Sequence, residues 1–226
     1  MIHRFDTTSS TMTEASALAA AGAPHGTVVV AERQTAGIGR HGHSWHSAAS
    51  GGLYLSIVLR LREPAPALTL ALGLASQAAL NDLAQVSVDL RWPNDLMLNE
   101  RKLGGILVQA EADALIAGIG INVNQTSLPA ELSSLATSLR IETGREHSKE
   151  ALMHRITAEC LRFAALPKTE ILRRFTQASG WVSGKSVIVD ERIAGITAGL
   201  DQNGFLLVQT ATGIETILAG GVRARL

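Results

Sequence analysis

The chain has one cysteine, one tyrosine and no excess of charge of either sign among its 226 residues. The lone cysteine, Cys160, excludes an internal disulfide framework and fits a reducing compartment such as the cytoplasm. It falls in a helical pattern, where a free cysteine behaves as a small core residue. Lys+Arg and Asp+Glu number 20 each, so no net field draws the chain to DNA or to an acidic membrane. No run reaches the roughly 20 apolar residues of a spanning helix. The Ala/Leu-rich stretch 66–84 is interrupted by Thr69, Ser76, Gln77, Asn81 and Asp82 and reads as a buried helix. The N-terminus, MIHRFDTTSSTMTEA, lacks the apolar centre of a signal peptide. Internal repeats and low-complexity segments are absent as well.

What is present is 46% hydrophobic residues, enough for a full core, and several chemically suggestive stretches. The central one is residues 91–109, RWPNDLMLNERKLGGILVQ. Leu103, Ile106, Leu107 and Val108 suit a buried hairpin arm. Asn99, Glu100 and Arg101 read as the tight turn before it. The turn is expected to hold Asp95 and Lys102 on neighbouring strands, facing one pocket. Gly104 and Gly105 remove side chains beyond the lysine, so a ligand can approach the backbone. A lysine so placed is a point charge for a carboxylate or phosphate. A plain hairpin with a solvated lysine is the alternative.

Along the chain, Thr11 to Glu14 fits a capping box before the Ala/Leu run 15–21, which Gly22 and Pro24 end. The same helix start, with Ser10 and Thr11, offers hydroxyls and free N–H groups to a polar ligand. Residues 27–32, TVVVAE, read as a buried strand feeding the loop 33–45, RQTAGIGRHGHSW. Gly37, Gly39 and Gly42 match Gly-x-Gly-x-x-Gly, but no helix pattern follows, as a dinucleotide site requires, and no Gly-Lys-Ser/Thr makes a P-loop. His41, His43 and His46 have poor spacing for tetrahedral zinc and no cysteine nearby. Residues 53–61 form a strand pattern, Pro64 and Pro66 open the long helix, and 86–91 lead into the central motif. Residues 114–124, ALIAGIGINVN, read as a strand ending in two asparagines. Residues 126–143 read as irregular. Ser148 caps a helix over 149–165, and a second runs over 169–177. From Lys185 onward short β segments with turns replace helices, as suits a small barrel. The expected domains are 1–184 and 185–226.

The central motif resembles the (K/R)WPND…(R/K)K(L/I)(A/G)GIL motif of biotin protein ligases. Loop 33–45 is similar to their GRGRxGRxW signature, with Ile38 in place of the first arginine and His43 where the last often stands. The stretch around Ser10 resembles their (D/S)STN, and residues 118–123 their GIGINV. The resemblance covers nearly the whole chain. It implies a mixed α/β sheet backed by helices, similar to class II aminoacyl-tRNA synthetases and lipoate ligases, followed by a small SH3-like β-barrel. It implies a reaction in which biotin and ATP, with Mg²⁺, give biotinyl-5'-AMP. Biotin then passes to a lysine of a biotin carboxyl carrier protein.

By the same resemblance Ser10, Thr11, Gln34, Gly37 and Gly39 bind biotin, together with Arg40 and Lys102. Trp45, Asn94, Gly105 and Asn122, again with Arg40 and Lys102, bind ATP and the adenylate. Lys102, Arg40 and Asp95 are the expected catalytic residues, with Asp95 also the expected Mg²⁺ ligand. Lipoate ligases and octanoyltransferases, related folds with a similar lysine, are the alternative reading. A DNA-binding repressor is disfavoured by the zero net charge and by a start directly at the catalytic region. A ligand-binding module without catalysis is disfavoured by Lys102, Asp95 and Arg40. Family members of this type occur as monomers and dimers.

Overall fold

The computed structural model describes residues 1–47, 51–61, 67–111 and 113–225. Seven strands form one mixed sheet in the order β1-β2-β3-β7-β6-β5-β4. They are β1 Ile2–Thr8, β2 Val28–Gln34, β3 Gly52–Leu59, β4 Asp89–Arg91, β5 Asp95–Leu98, β6 Arg101–Glu111 and β7 Ala114–Asn122. Only β1 and β2 pair in parallel; the other neighbours are antiparallel. Strand β1 is not announced by its sequence, IHRFDTT, because it is an edge strand with an exposed, polar pattern. Strand β3 is buried along its whole length, as a strand covered on both faces must be.

Helix α1, Thr11–Ala20, covers one face of the sheet. Its Met12, Ala15 and Ala19 pack with Val29, Val58 and Ile116. On the opposite face lie α2, Leu68–Ala84, and α4, Lys149–Ala164, followed by α5, Lys168–Ala178. The expected opening of α2 at Pro64 and Pro66 falls outside the described residues. Among those described, no helix is long and apolar enough to cross a membrane. Within the stretch expected to be irregular, Ser138 accepts a hydrogen bond from Ile141 N and starts the short helix α3, Leu139–Thr143.

The remaining strands build a five-stranded antiparallel, SH3-like sheet in the order β11-β10-β9-β8-β12. They are β8 Ser183–Val189, β9 Ile193–Leu200, β10 Leu206–Thr210, β11 Gly213–Ile217 and β12 Val222–Ala224. Val187, Val189, Leu206, Val208, Ile217 and Val222 from this sheet join the same buried cluster as α2 and α4. The two sheets therefore share a continuous apolar interior.

Candidate active site

Alternation along the strands turns Gly105 and Leu107 of β6, and Gly118 and Gly120 of β7, to the face that α1 covers. Helix α1 fills only part of that face. The rest, floored by glycines, is a cavity of about 420 Å³. The floor is glycine for a steric reason. A Cβ at Gly120 would stand 2.6 Å from the Trp45 ring, and one at Gly118 would stand 2.5 Å from Met12 Sδ.

At one end of the cavity lie Ser10, Thr11 and Gln34. Ser10, rather than Thr11, is the N-cap: its hydroxyl accepts from Met12 N, and the helix begins at Thr11, one residue earlier than a capping box at Thr11 implies. The capping box expected over Thr11 to Glu14 does not form, and Glu14 accepts from Thr8 Oγ1 instead. Thr11 N and Thr11 Oγ1 both donate to Gln34 Oε1, at 2.8 and 3.1 Å, so a side chain from β2 satisfies the helix start. Buried Ser56 donates to Thr11 Oγ1 at 2.9 Å, and Gln34 Nε2 donates to Ser47 Oγ at 2.8 Å. These bonds tie α1, β2, β3 and the following loop into one polar cluster.

That loop is not extended. Trp45 N donates to Gly37 O and Gly39 N to His43 O, with Arg40–Gly42 as a 3₁₀ turn, so residues 37–45 fold as a small hairpin. Gly37 is required by close approach, since a Cβ there would meet Trp45 O at 2.6 Å. The hairpin puts Ile38, Gly39, Arg40 and Trp45 on the cavity wall.

The cationic end is built by the β5–β6 hairpin. Asn99 and Glu100 both have positive φ, 49° and 62°, and make the tight turn. In the register Asp95 faces Gly105 and Leu96 faces Gly104, but Met97 faces Lys102, so Leu103 is an extra residue. This bulge matters. In a regular strand residues 102 and 105 point to opposite faces. With the bulge, Lys102 reaches the glycine-floored face, and a Cβ at Gly105 would lie 3.4 Å from its Nζ. Lys102 Nζ sits 2.5 Å from Asp95 Oδ1 and 5.5 Å from the centre of the Trp45 ring. Arg91 Nε and Nη2 bind the other oxygen, Oδ2, at 3.0 and 2.6 Å. Burial on its own favours the protonated Asp95 acid, but Lys102 and Arg91 outweigh it and hold the group below the usual carboxylate range. Arg40 Nη1 donates to Asn94 Oδ1 at 3.0 Å and to Gly220 O at 3.4 Å. Burial lowers its pKa, partly offset by Asp95 and Asp190.

The Lys102 backbone is held separately. Lys102 N donates to Leu135 O and Thr137 N donates to Lys102 O, so residues 135–137 act as a short strap. Glu142 anchors the strap and the turn together, accepting from Thr137, Asn99 and Arg101. Burial pushes its pKa up, and these three donors more than reverse the effect. Glu142→Ala leaves those donors without their acceptor and is expected to destabilise the protein by about 1–3 kcal/mol. Urea unfolding measures this; an unchanged midpoint would remove Glu142 from the anchoring role.

Ten of the twelve residues anticipated from the sequence line this cavity: Ser10, Thr11, Gln34, Gly39 and Arg40, then Trp45, Asn94, Asp95, Lys102 and Gly105. Two do not. Gly37 is packed inside the hairpin against Trp45 O and Ser47, and Asn122 donates to Thr137 O and accepts from Gln125, so it supports the strap. Asp95 does not suit a directly bound Mg²⁺. Both its oxygens hold cationic side chains, and a dication there would displace or face them. The described residues contain no group of three or more His, Cys, Asp or Glu able to hold a metal. Sequence reading missed Asp190, Gly220, Gly221 and Arg223, which reach the cavity from the C-terminal sheet. The Asp190-Glu191 turn and the Gly220-Gly221 pair were the available signals, but nothing local says what they face.

Residues 4–125 match the model of the biotin/lipoate A/B protein ligase family. The chain is 33% identical to the biotin–[acetyl-CoA-carboxylase] ligase of Mycobacterium tuberculosis, over 95% of this chain and 85% of that protein. It is 34% identical to the bifunctional ligase/repressor BirA of Bacillus spizizenii, over 96% of this chain and 72% of that one. Among solved structures it is similar to the biotin protein ligase of Aquifex aeolicus in complex with biotin and ATP. There the TM-score is 0.89 and the identity 31%, with 99% of each chain covered. Taken with the motifs and the cavity they form, these likenesses place the chain in the biotin/lipoate A/B protein ligase family, among the biotin protein ligases.

Proposed function

We propose that this protein uses ATP to convert biotin to biotinyl-5'-AMP and passes the biotin to a lysine of a biotin carboxyl carrier protein. The observation that carries this reading is one cavity with a hydroxyl- and amide-lined end at Ser10, Thr11 and Gln34 and a cationic end at Lys102 and Arg40. The polar end suits the ureido ring of biotin. A lipoyl or octanoyl chain has no comparable polar head for these groups to bond. The M. tuberculosis relative is named for acetyl-CoA carboxylase, which supports a carboxylase carrier as the partner.

In the first step a biotin carboxylate oxygen attacks the α-phosphorus of ATP and pyrophosphate leaves. Negative charge gathers on phosphate oxygens, and cations fixed beforehand stabilise it without reorganising. Lys102 supplies that charge at the junction of carboxylate and phosphate, and Arg40 supplies it from the hairpin. Trp45 offers a ring face to the adenine. In the second step the amine of the carrier lysine attacks the acyl carbon and AMP leaves. Asp95, kept ionised, orients Lys102 through their ion pair. Mg²⁺ would enter with the ATP phosphates and screen their charge. Residues 37–45 cover the adenylate and exclude water.

Incubation with labelled biotin, Mg-ATP and a carrier domain tests the assignment: mass spectrometry is expected to find one added biotin on a carrier lysine. Transfer of lipoate or octanoate instead would overturn it. Ile38 is 38% exposed on the cavity wall, at the place where the GRGRxGRxW signature that this loop resembles has arginine. An Ile38→Arg variant is expected to release the adenylate more slowly. A charge-assisted hydrogen bond, roughly 1.5–3 kcal/mol, is the upper limit of the gain. Release at an unchanged or faster rate would show that Ile38 costs the hairpin nothing.

A further inference from the structure

The segment joining α5 to the C-terminal sheet is fastened to the strand that carries Arg91. Ser179 Oγ donates to Leu90 O at 2.6 Å, Gly180 N donates to Asp89 Oδ1 at 2.8 Å, and Trp181 N donates to Ser179 Oγ at 3.1 Å. A Cβ at Gly180 would stand 2.8 Å from Asp89 Oδ2, so the backbone lies close against β4. The clamp sets the Trp181 indole, 5% exposed, beside Arg91, whose Cζ is 5.3 Å from the ring centre. Lys185 Nζ lies 4.9 Å from the same ring and pairs with Glu100. Arg91 in turn places two N–H groups on Asp95 Oδ2, which leaves Oδ1 for Lys102.

We propose that Trp181 is a positioning residue, whose ring holds Arg91 on Asp95 and thereby fixes Lys102 at the cationic end of the cavity. The reasoning is geometric. A free arginine side chain has many rotamers, and a desolvated aromatic face removes most of them through cation–π attraction. With Arg91 confined to one oxygen of Asp95, the other oxygen has a single cation to receive. Loss of the ring lets Arg91 move, the carboxylate rotate, and Lys102 leave its place. Among the described residues, the cations facing Asp95 are Arg91 on β4, Lys102 on β6 and Arg40 on the hairpin 37–45. The proposal rests on the role given to Lys102 in adenylate formation.

The test is a double-mutant cycle of Trp181→Leu and Arg91→Met, read by single-turnover pyrophosphate release from biotin and Mg-ATP across pH. Each single change is expected to slow release roughly tenfold, about the effect of losing one desolvated cation–π contact. The double variant is expected to be no slower than Arg91→Met alone. The acid limb of the rate should move to higher pH in both single variants, because Asp95 loses a cation. Trp181→Phe keeps a ring and should recover most of the rate; it replaces Trp181→Leu in the cycle if the latter does not fold. Additive losses, or an unmoved acid limb, would reduce Trp181 to a packing residue and overturn the proposal. The same cycle in urea unfolding between about pH 3 and about pH 7 reads the Asp95 coupling without substrate. A wild-type protein that releases no pyrophosphate would therefore refute the biotin reading, while the unfolding cycle still decides the role of Trp181.

Discussion

Lys102→Ala is expected to slow adenylate formation by roughly a hundredfold to a thousandfold, the usual loss for one fixed donor at a transition state, about 2.7–4 kcal/mol. The lysine is 31% exposed by side chain, ion-paired to Asp95 and set over Trp45, so its charge acts in a partly desolvated cavity. The fold should survive, because the strap holds Lys102 through its backbone and not its side chain. Lys102→Arg is not expected to restore the rate, since a planar fork cannot take the place of a point charge between Asp95 and a ligand anion. Single-turnover pyrophosphate release decides it. A solvated hairpin lysine would change little, within about 0.5 kcal/mol. Near-normal release from a folded Lys102→Ala protein would return Lys102 to that class.

Asp95→Asn has the largest expected effect on stability. The Asp95 side chain is 14% exposed and neutralises Arg91, 19% exposed, and Lys102. Removing one partner of a buried pair typically costs 3–5 kcal/mol, and we expect about 3 kcal/mol here because Lys102 can still reach water. The pH dependence has a definite sign. The folded pKa of Asp95 lies below its unfolded value of about 3.9. Its stabilisation is therefore complete above about pH 4 and is lost as pH falls through the lower, folded value. Urea midpoints should favour the wild type strongly near neutral pH, and the gap should close in acid. A gap independent of pH would mean that Asp95 acts by packing, not charge.

Much of the site is legible in the sequence because its chemistry is carried by residue type at short spacing. A lysine among glycines, an aspartate before a tight turn and hydroxyls at a helix start each name a local function. The C-terminal change to β structure is visible for the same reason, since period-two patterns and turn residues are local signals, although β8 begins at Ser183 and not at Lys185. Strand β1 was missed because an edge strand needs no apolar alternation. Asn122, expected at the adenylate, bonds Thr137 O and Gln125, because the end of a strand does not reveal which neighbour its amide will meet.

By itself the sequence determined the apolar core, the β5–β6 turn, the cations and the glycines that leave room beside them. Only the tertiary structure decided that Lys102 and Gly105 share a face, because the bulge at Leu103 appears when β6 is registered against β5. It alone brought Arg40 within reach of Gly220, 180 residues away, and set Arg91 between Asp95 and the ring of Trp181. The physical reason is the range of the forces that select each feature. Propensity and periodicity act over a few residues, whereas register, burial of charge and the packing of one sheet on another are settled between segments distant in the chain.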